Sequence, residues 1–125
     1  MAFNPFVVFY VDQPLKSAGL YSKLFGREPI QSSPNFVMFI LESGLKLGLW
    51  ERGDAQPPAA GAPGSEEVIF QVASEEEVDT LFAQWTAEGL VVAQTPTQMD
   101  FGYTFVVLDP DGHRLRVYKL AAQPK

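Results

Sequence analysis

Apolar residues along this chain fall into strand-length runs broken by two stretches of helical period, and the whole pattern comes round twice. Phe6-Val7-Val8-Phe9-Tyr10-Val11 is apolar throughout, which predicts a strand covered on both faces. Asp12 offers an N-cap, and Pro14 suits the first turn of a helix. Leu15, Leu20, Tyr21, Leu24 and Phe25 recur at helical spacing up to Gly26, whose tolerance of positive φ ends the helix. Residues 30–33 read as a short edge strand stopped by Ser-Ser-Pro. Residues 36–41 and 45–50, apolar-rich and joined by Glu42-Ser43-Gly44, predict a hairpin. Residues 53–65 then have linker composition: small, rich in Pro and Gly, and without apolar period.

The second half opens with the strand Glu67-Val68-Ile69-Phe70-Gln71-Val72. Ser74 and Glu77 have capping-box spacing, and Val78, Leu81, Phe82 and Trp85 form the buried stripe of a helix ended by Gly89. Glu75, Glu76 and Glu77 suit the positive end of that helix, a solvated start rather than a metal cluster. Val91-Val92-Ala93-Gln94 is the next strand, followed by a loop through Pro96, Asp100, Phe101 and Gly102. Residues 103–108 and 115–118 flank Asp109-Pro110-Asp111-Gly112, a tight turn in which Pro presets φ and Asp caps nearby amides.

The halves match one another: Val11 with Val72, residues 36–42 with 103–109, and 44–50 with 112–118. Each reads strand, helix, three strands, and a unit of that size cannot bury both of its faces alone. The expectation is one α+β domain over residues 1–125. Its first βαβββ module lies at about 5–52, its linker at 53–65 and its second module at about 66–120.

Composition narrows the function. With 125 residues, 46% hydrophobic and 19% charged, the chain can bury a real core. A net charge of −6 argues against a nucleic-acid partner, which needs clustered Lys and Arg. No apolar run approaches the roughly 20 residues of a membrane helix, and the first residues lack the pattern of a signal peptide. A cytoplasmic protein with no membrane partner is expected. The absence of cysteine excludes disulfides, thiolate nucleophiles and Cys-bound metals. His113 is the only imidazole, so no two-His-one-carboxylate triad can form within one chain. Neither a Ser–His–Asp spacing nor a Gly-rich phosphate loop stands out.

The segment Asp109-Pro110-Asp111-Gly112-His113-Arg114-Leu115-Arg116-Val117-Tyr118 resembles the C-terminal signature of the vicinal oxygen chelate superfamily, which includes glyoxalase I, extradiol dioxygenases and bleomycin-resistance proteins. The resemblance implies βαβββ modules forming a curved mixed sheet around a cleft, commonly completed in a homodimer. Metal-dependent members keep a glutamate four residues after the turn glycine, where this chain has Arg116. Carried over residue by residue, the superfamily's metal-ligand positions fall on Phe6, Gly48, Glu67 and Arg116. Only Glu67 could ligate, and one carboxylate does not make a site. The resemblance with these departures implies no metal, no cofactor and no catalytic residue of the Lewis-acid kind.

Alternation along strands groups Val8 and Tyr10 with Phe6, Trp50 with Gly48, and Tyr118 with Arg116. The expected ligand-binding residues are therefore Trp50, Phe6, Tyr10, Gly48, Glu67, Arg116 and Tyr118. Aromatic faces with one guanidinium among them suit a flat aromatic ligand, Arg116 being available for a carboxylate on it. Trp50 is the strongest of these, at a strand end where Gly48 leaves space beside it. Two structural readings stand beside this one. The rings are ordinary core, as Trp85 is expected to be, and Glu67 and Arg116 pair with each other in the vacated metal position.

Leu-Gly-Leu-Trp at 47–50, Glu-Glu-Val-Asp-Thr-Leu-Phe-Ala-Gln-Trp-Thr at 76–86 and the run from Phe101 to Val117 are similar to the phenazine-resistance members of the superfamily, which bind a phenazine in a dimer cleft without transforming it. What this implies is a metal-free homodimer that sequesters a planar aromatic antibiotic or metabolite. The rivals are a glyoxalase-like lyase or isomerase using Glu67 as a base, and a relative that binds an aliphatic metabolite.

Overall fold

Strand, helix and three further strands build a four-stranded mixed sheet with one helix on it, and the arrangement occurs twice. The computed structural model describes residues 3–122, in two units that meet in sequence at Gly61 and Ala62. The first unit holds β1 (Val7–Val11), α1 (Pro14–Phe25), β2 (Gln31–Ser33), β3 (Phe36–Ile40) and β4 (Lys46–Glu51), in sheet order β1-β4-β3-β2. The second holds β5 (Glu67–Gln71), α2 (Glu75–Ala87), β6 (Val91–Met99), β7 (Gly102–Leu108) and β8 (Arg114–Leu120), in sheet order β5-β8-β7-β6. β1 runs parallel to β4 and β5 parallel to β8, while the other pairs are antiparallel. The fold class is α+β, as expected. Among the described residues no helix is long and apolar enough to cross a membrane.

In the first unit Phe9, Val11, Val37, Phe39, Leu47 and Leu49 are buried on one face of the sheet, with Ala18, Tyr21 and Leu24 of α1 buried as well. Phe39 meets the Phe25 ring edge-on at 5.6 Å. β1 is not covered on both faces: burial alternates along it, and Val7 is 39% exposed. This unit has a single helix to lay on its sheet, and an apolar run signals burial on both sides only where both faces are packed. Leu15 stays half-exposed because the buried residues of α1 (Pro14, Ser17, Ala18, Tyr21, Leu24) keep a helical phase one residue away from it. Gln13, not Asp12, is the N-cap, and no side chain caps it. With Pro14 in the first turn, the extended residue directly before it takes the cap position. Gly26 ends the helix in left-handed conformation at φ 66°.

In the second unit the Trp85 ring meets Phe70 and Phe105 edge-on at 5.7 and 5.8 Å, so this tryptophan is core. Ser74 caps α2 by accepting from the Glu77 N–H at 3.2 Å, and the Glu77 carboxylate accepts from the Ala73 N–H at 2.8 Å. β6 does not stop at Gln94. It runs on to Met99 through Pro96, because register shifts between Val92 and Gln94 and between Gln94 and Thr97 take Pro96 out of the regular ladder.

The turn between β7 and β8 is organised by Asp109, only 3% exposed. Its Oδ1 accepts from the N–H groups of Asp111 and His113 at 2.9 and 2.8 Å, and its own N–H donates to the His113 carbonyl at 2.9 Å. These bonds fix the register that sets Leu108 opposite Arg114 and Val106 opposite Arg116. Asp109→Ala removes the acceptor for two N–H groups and should cost about 2 kcal/mol of unfolding free energy. Urea denaturation of the two proteins measures the difference, and an unchanged midpoint would show that the backbone holds the turn unaided.

Candidate functional site

The parallel pairing of β5 with β8 sets Glu67 opposite Arg114, Ile69 opposite Arg116 and Gln71 opposite Tyr118. Alternation turns these side chains away from the α2 core, where Val68, Leu115 and Val117 are buried. Thr104 on β7 pairs with Tyr118, and Gln94 on β6 pairs with Val106, which itself pairs with Arg116. The same face of all four strands thus contributes polar groups around one guanidinium.

Arg116 is held on three sides. Its Nε donates to Glu67 Oε1 at 2.8 Å, and its Nη1 donates to Gln94 Oε1 at 3.2 Å and to Thr104 Oγ1 at 3.1 Å. The buried Thr104 hydroxyl donates in turn to the Val117 carbonyl at 2.8 Å, which leaves its lone pairs for Arg116. Arg114 Nε donates to the other carboxylate oxygen, Glu67 Oε2, at 2.9 Å. Burial by itself would raise the Glu67 carboxyl. Hydrogen bonds from Arg116 and Arg114, with their positive charges, outweigh that and hold it below its ordinary value. The Arg116 guanidinium also lies 5.7 Å from the centre of the Phe101 ring, within cation–π range.

Beside this cluster lies a hollow of about 580 Å³, lined by Glu67, Arg116, Gln71 and Tyr118 and by the apolar Ile69, Phe101 and Leu120. Phe101 meets the Tyr118 ring at 5.8 Å with planes 69° apart, and the Tyr118 hydroxyl donates to Gln71 Oε1 at 3.1 Å. Of the residues expected at a site, the structure brings together Glu67, Arg116 and Tyr118.

A family profile described as the Glyoxalase/Bleomycin resistance protein/Dioxygenase superfamily matches residues 4–117. The chain belongs to that superfamily. It is 32% identical over 114 residues to the phenazine antibiotic resistance protein EhpR of Enterobacter agglomerans, covering 89% of this chain and 87% of that one. It is also 33% identical over 103 residues to a trivalent organoarsenical cleaving enzyme of Bacillus sp. (strain MD1), covering 78% of this chain but 61% of the enzyme. Among solved structures, protein ATC0852 from Agrobacterium tumefaciens matches with a TM-score of 0.88 and 45% identity, over 98% of this chain and 100% of that one.

Metal-dependent members of the superfamily place ligands at the positions of Phe6, Gly48, Glu67 and Arg116, and these residues do not suit a cation. Phe6 and Gly48 have no side-chain lone pair to give, Arg116 is itself a cation, and both Glu67 oxygens already accept from guanidinium groups. Among the described residues no group of three or more His, Cys, Asp or Glu is placed to hold a metal.

The other expected site residues lie in the first unit. Val8 pairs with Gly48 and Tyr10 with Trp50 across β1 and β4, and the Tyr10 and Trp50 rings are 6.0 Å apart, tilted by 38°. Phe6 precedes β1 and is half-exposed. The space over Gly48 is not vacant, contrary to the sequence expectation. A Cβ there would lie 3.0 Å from the end of the Phe36 ring and 3.3 Å from a Val8 methyl. The glycine accommodates a neighbouring side chain from β3, a contact set by cross-strand packing rather than by local sequence.

Arg114, Gln94, Thr104 and Phe101 were not anticipated. Arg114 shares the parity of Arg116 two residues away, so alternation could have found it. Gln94 could not be placed by counting, because the bulges in β6 break its parity.

Proposed function

We propose that this superfamily member is a metal-free binding protein that sequesters a planar aromatic antibiotic or metabolite, phenazine-like in shape, and does not transform it. Its working form is a cytoplasmic homodimer. The observation that carries the reading is the state of Glu67, whose two oxygens are both taken by arginines beside a hollow of mixed aromatic and aliphatic lining. A carboxylate so engaged is a poor metal ligand and a poor general base, because binding a cation or a proton would require giving up charge-assisted hydrogen bonds. The similarity to a phenazine antibiotic resistance protein supports the same reading.

Fluorescence titration with phenazine should give saturable binding, with the compound recovered unchanged and sedimentation showing a dimer. Trp50, half-buried beside Tyr10, is assigned the role of stacking ring. Trp50→Ala should weaken phenazine binding by about 1–3 kcal/mol through lost stacking and contact area. If affinity were unchanged with the circular dichroism spectrum intact, Trp50 is scaffold.

The second reading is an enzyme, favoured by the 33% identity to an organoarsenical cleaving enzyme. It requires a divalent ion co-purifying at about one equivalent per chain, or a product released from a substrate of that class. Metal analysis of protein prepared without chelator, with an assay for turnover, separates the two.

A further inference from the structure

We propose that Met99 is a sulfoxidation site for hydroperoxides, coupled through Gln94 to the buried arginine of the second sheet. Gln94 Nε2 donates to Met99 Sδ at 3.3 Å, while Gln94 Oε1 accepts from Arg116 Nη1 at 3.2 Å. The amide therefore stands between a thioether at the surface and the guanidinium that Glu67 and Thr104 also hold. Its orientation follows from chemistry: a guanidinium only donates, so Oε1 must face Arg116 and Nε2 must face the sulfur. The proposal concerns the state of the arginine cluster and holds whichever ligand the hollow takes.

The contact is a product of the irregular course of β6. Residues five apart on a regular strand lie about 16 Å from one another and point to opposite faces. Between Gln94 and Thr97, however, three steps on β6 oppose only two on β7, from Val106 to Thr104. That extra residue returns Gln94 and Met99 to one face, where their long side chains reach each other. Met99 is 43% exposed beside the turn into β7, whereas Met38 on β3 is half-buried. Its sulfur is therefore open to a reagent in solution while still bonded to a residue of the cluster.

The reaction needs only a hydroperoxide, ROOH. One lone pair of the sulfur takes the hydrogen bond from Gln94, and the other attacks the near oxygen of ROOH as the O–O bond breaks. The sulfur keeps that oxygen, the proton passes to the departing oxygen, and ROH leaves. Sulfur is oxidised by two electrons and the peroxide is reduced by two. A sulfoxide oxygen is a far better acceptor than a thioether sulfur, and the unbranched Met99 side chain can turn to present it to Gln94 Nε2. Stronger donation from Nε2 polarises the amide and makes Oε1 a better acceptor, so the bond to Arg116 tightens. Gln94 is a positioning residue in this scheme, and Met99 sets how firmly it holds.

Hydrogen peroxide applied to the full chain, followed by peptide mapping in a mass spectrometer, should oxidise Met99 ahead of Met38. In the oxidised protein, nuclear magnetic resonance should show the Gln94 amide protons moved downfield. Exchange of the Arg116 Nε–H with solvent should slow about 3- to 10-fold, the range one hydrogen bond sustains. Methionine sulfoxide reductases should reverse both changes. Gln94→Leu should still be oxidised at Met99 but show no change at Arg116. Should that variant fail to fold, Met99→Leu alters an exposed side chain and should leave Arg116 exchange indifferent to peroxide. Met99 oxidising no faster than Met38 would overturn the site. Arg116 exchange unchanged by oxidation, or slowed equally in Gln94→Leu, would overturn the coupling.

Discussion

Gly102→Ala is expected to destabilise the protein by about 4 kcal/mol or more, a large fraction of the roughly 5–15 kcal/mol that holds a domain folded. Gly102 is at φ 151°, a backbone conformation that residues with a Cβ rarely adopt. An added Cβ would overlap the Lys119 carbonyl oxygen and lie 3.0 Å from Lys119 C and Ala121 N. These are main-chain atoms, so no rotamer change relieves the overlap. Relief would require β7 and β8 to part at the Gly102–Leu120 pair, where the Ala121 N–H also donates to the Phe101 carbonyl at 2.8 Å. Gly102 pairs with Met99 as well, so the opening would spread to the β6 side. Thermal and urea unfolding followed by circular dichroism measure the loss. A variant within 1 kcal/mol of wild type would mean the two strands are not joined as described.

Glu67→Ala should cost about 2–4 kcal/mol of stability, somewhat less than for a fully buried pair. The substitution leaves the guanidiniums of Arg114 and Arg116 without their shared carboxylate. Arg116 is only 13% exposed and cannot turn wholly to water, whereas Arg114, at 38%, partly can. The loss should also depend on pH with a definite sign. Because the native carboxyl is held below its ordinary value, its contribution is present in full above the unfolded-state pKa of about 4.3 and is lost as pH falls through the lowered native value. The stability gap between wild type and Glu67→Ala should therefore narrow in acid and stay constant near neutrality. A gap that did not change between these conditions would locate the effect in packing instead of charge.

Much of this architecture could be read from residue order. The Ser74–Glu77 spacing gave the start of α2, Trp85 at its place in the helical stripe became core, and the match of residues 36–42 with 103–109 predicted a repeated βαβββ module. Each of those signals is local: a cap, a period, a turn. The readings that failed involved competition between local signals or contacts across strands. Asp12 lost the cap position to the residue next to Pro14, and Pro96 proved compatible with a strand because bulges set it outside the ladder. Phe36 fills the space over Gly48 from another strand, and nothing in the immediate sequence of either residue announces it.

By itself, then, the residue order determined the two βαβββ units, the tight turn at Asp109 and the presence of an arginine where metal-dependent relatives keep a glutamate. Tertiary structure alone decided what that arginine does. Whether Glu67 would meet one guanidinium, two or none depended on the register of β5 against β8, strands whose contacts span 47 to 49 residues of chain. Register at that separation is set by which apolar faces pack against α2, and a slip of β5 by one residue would turn Glu67 into the core, away from both arginines.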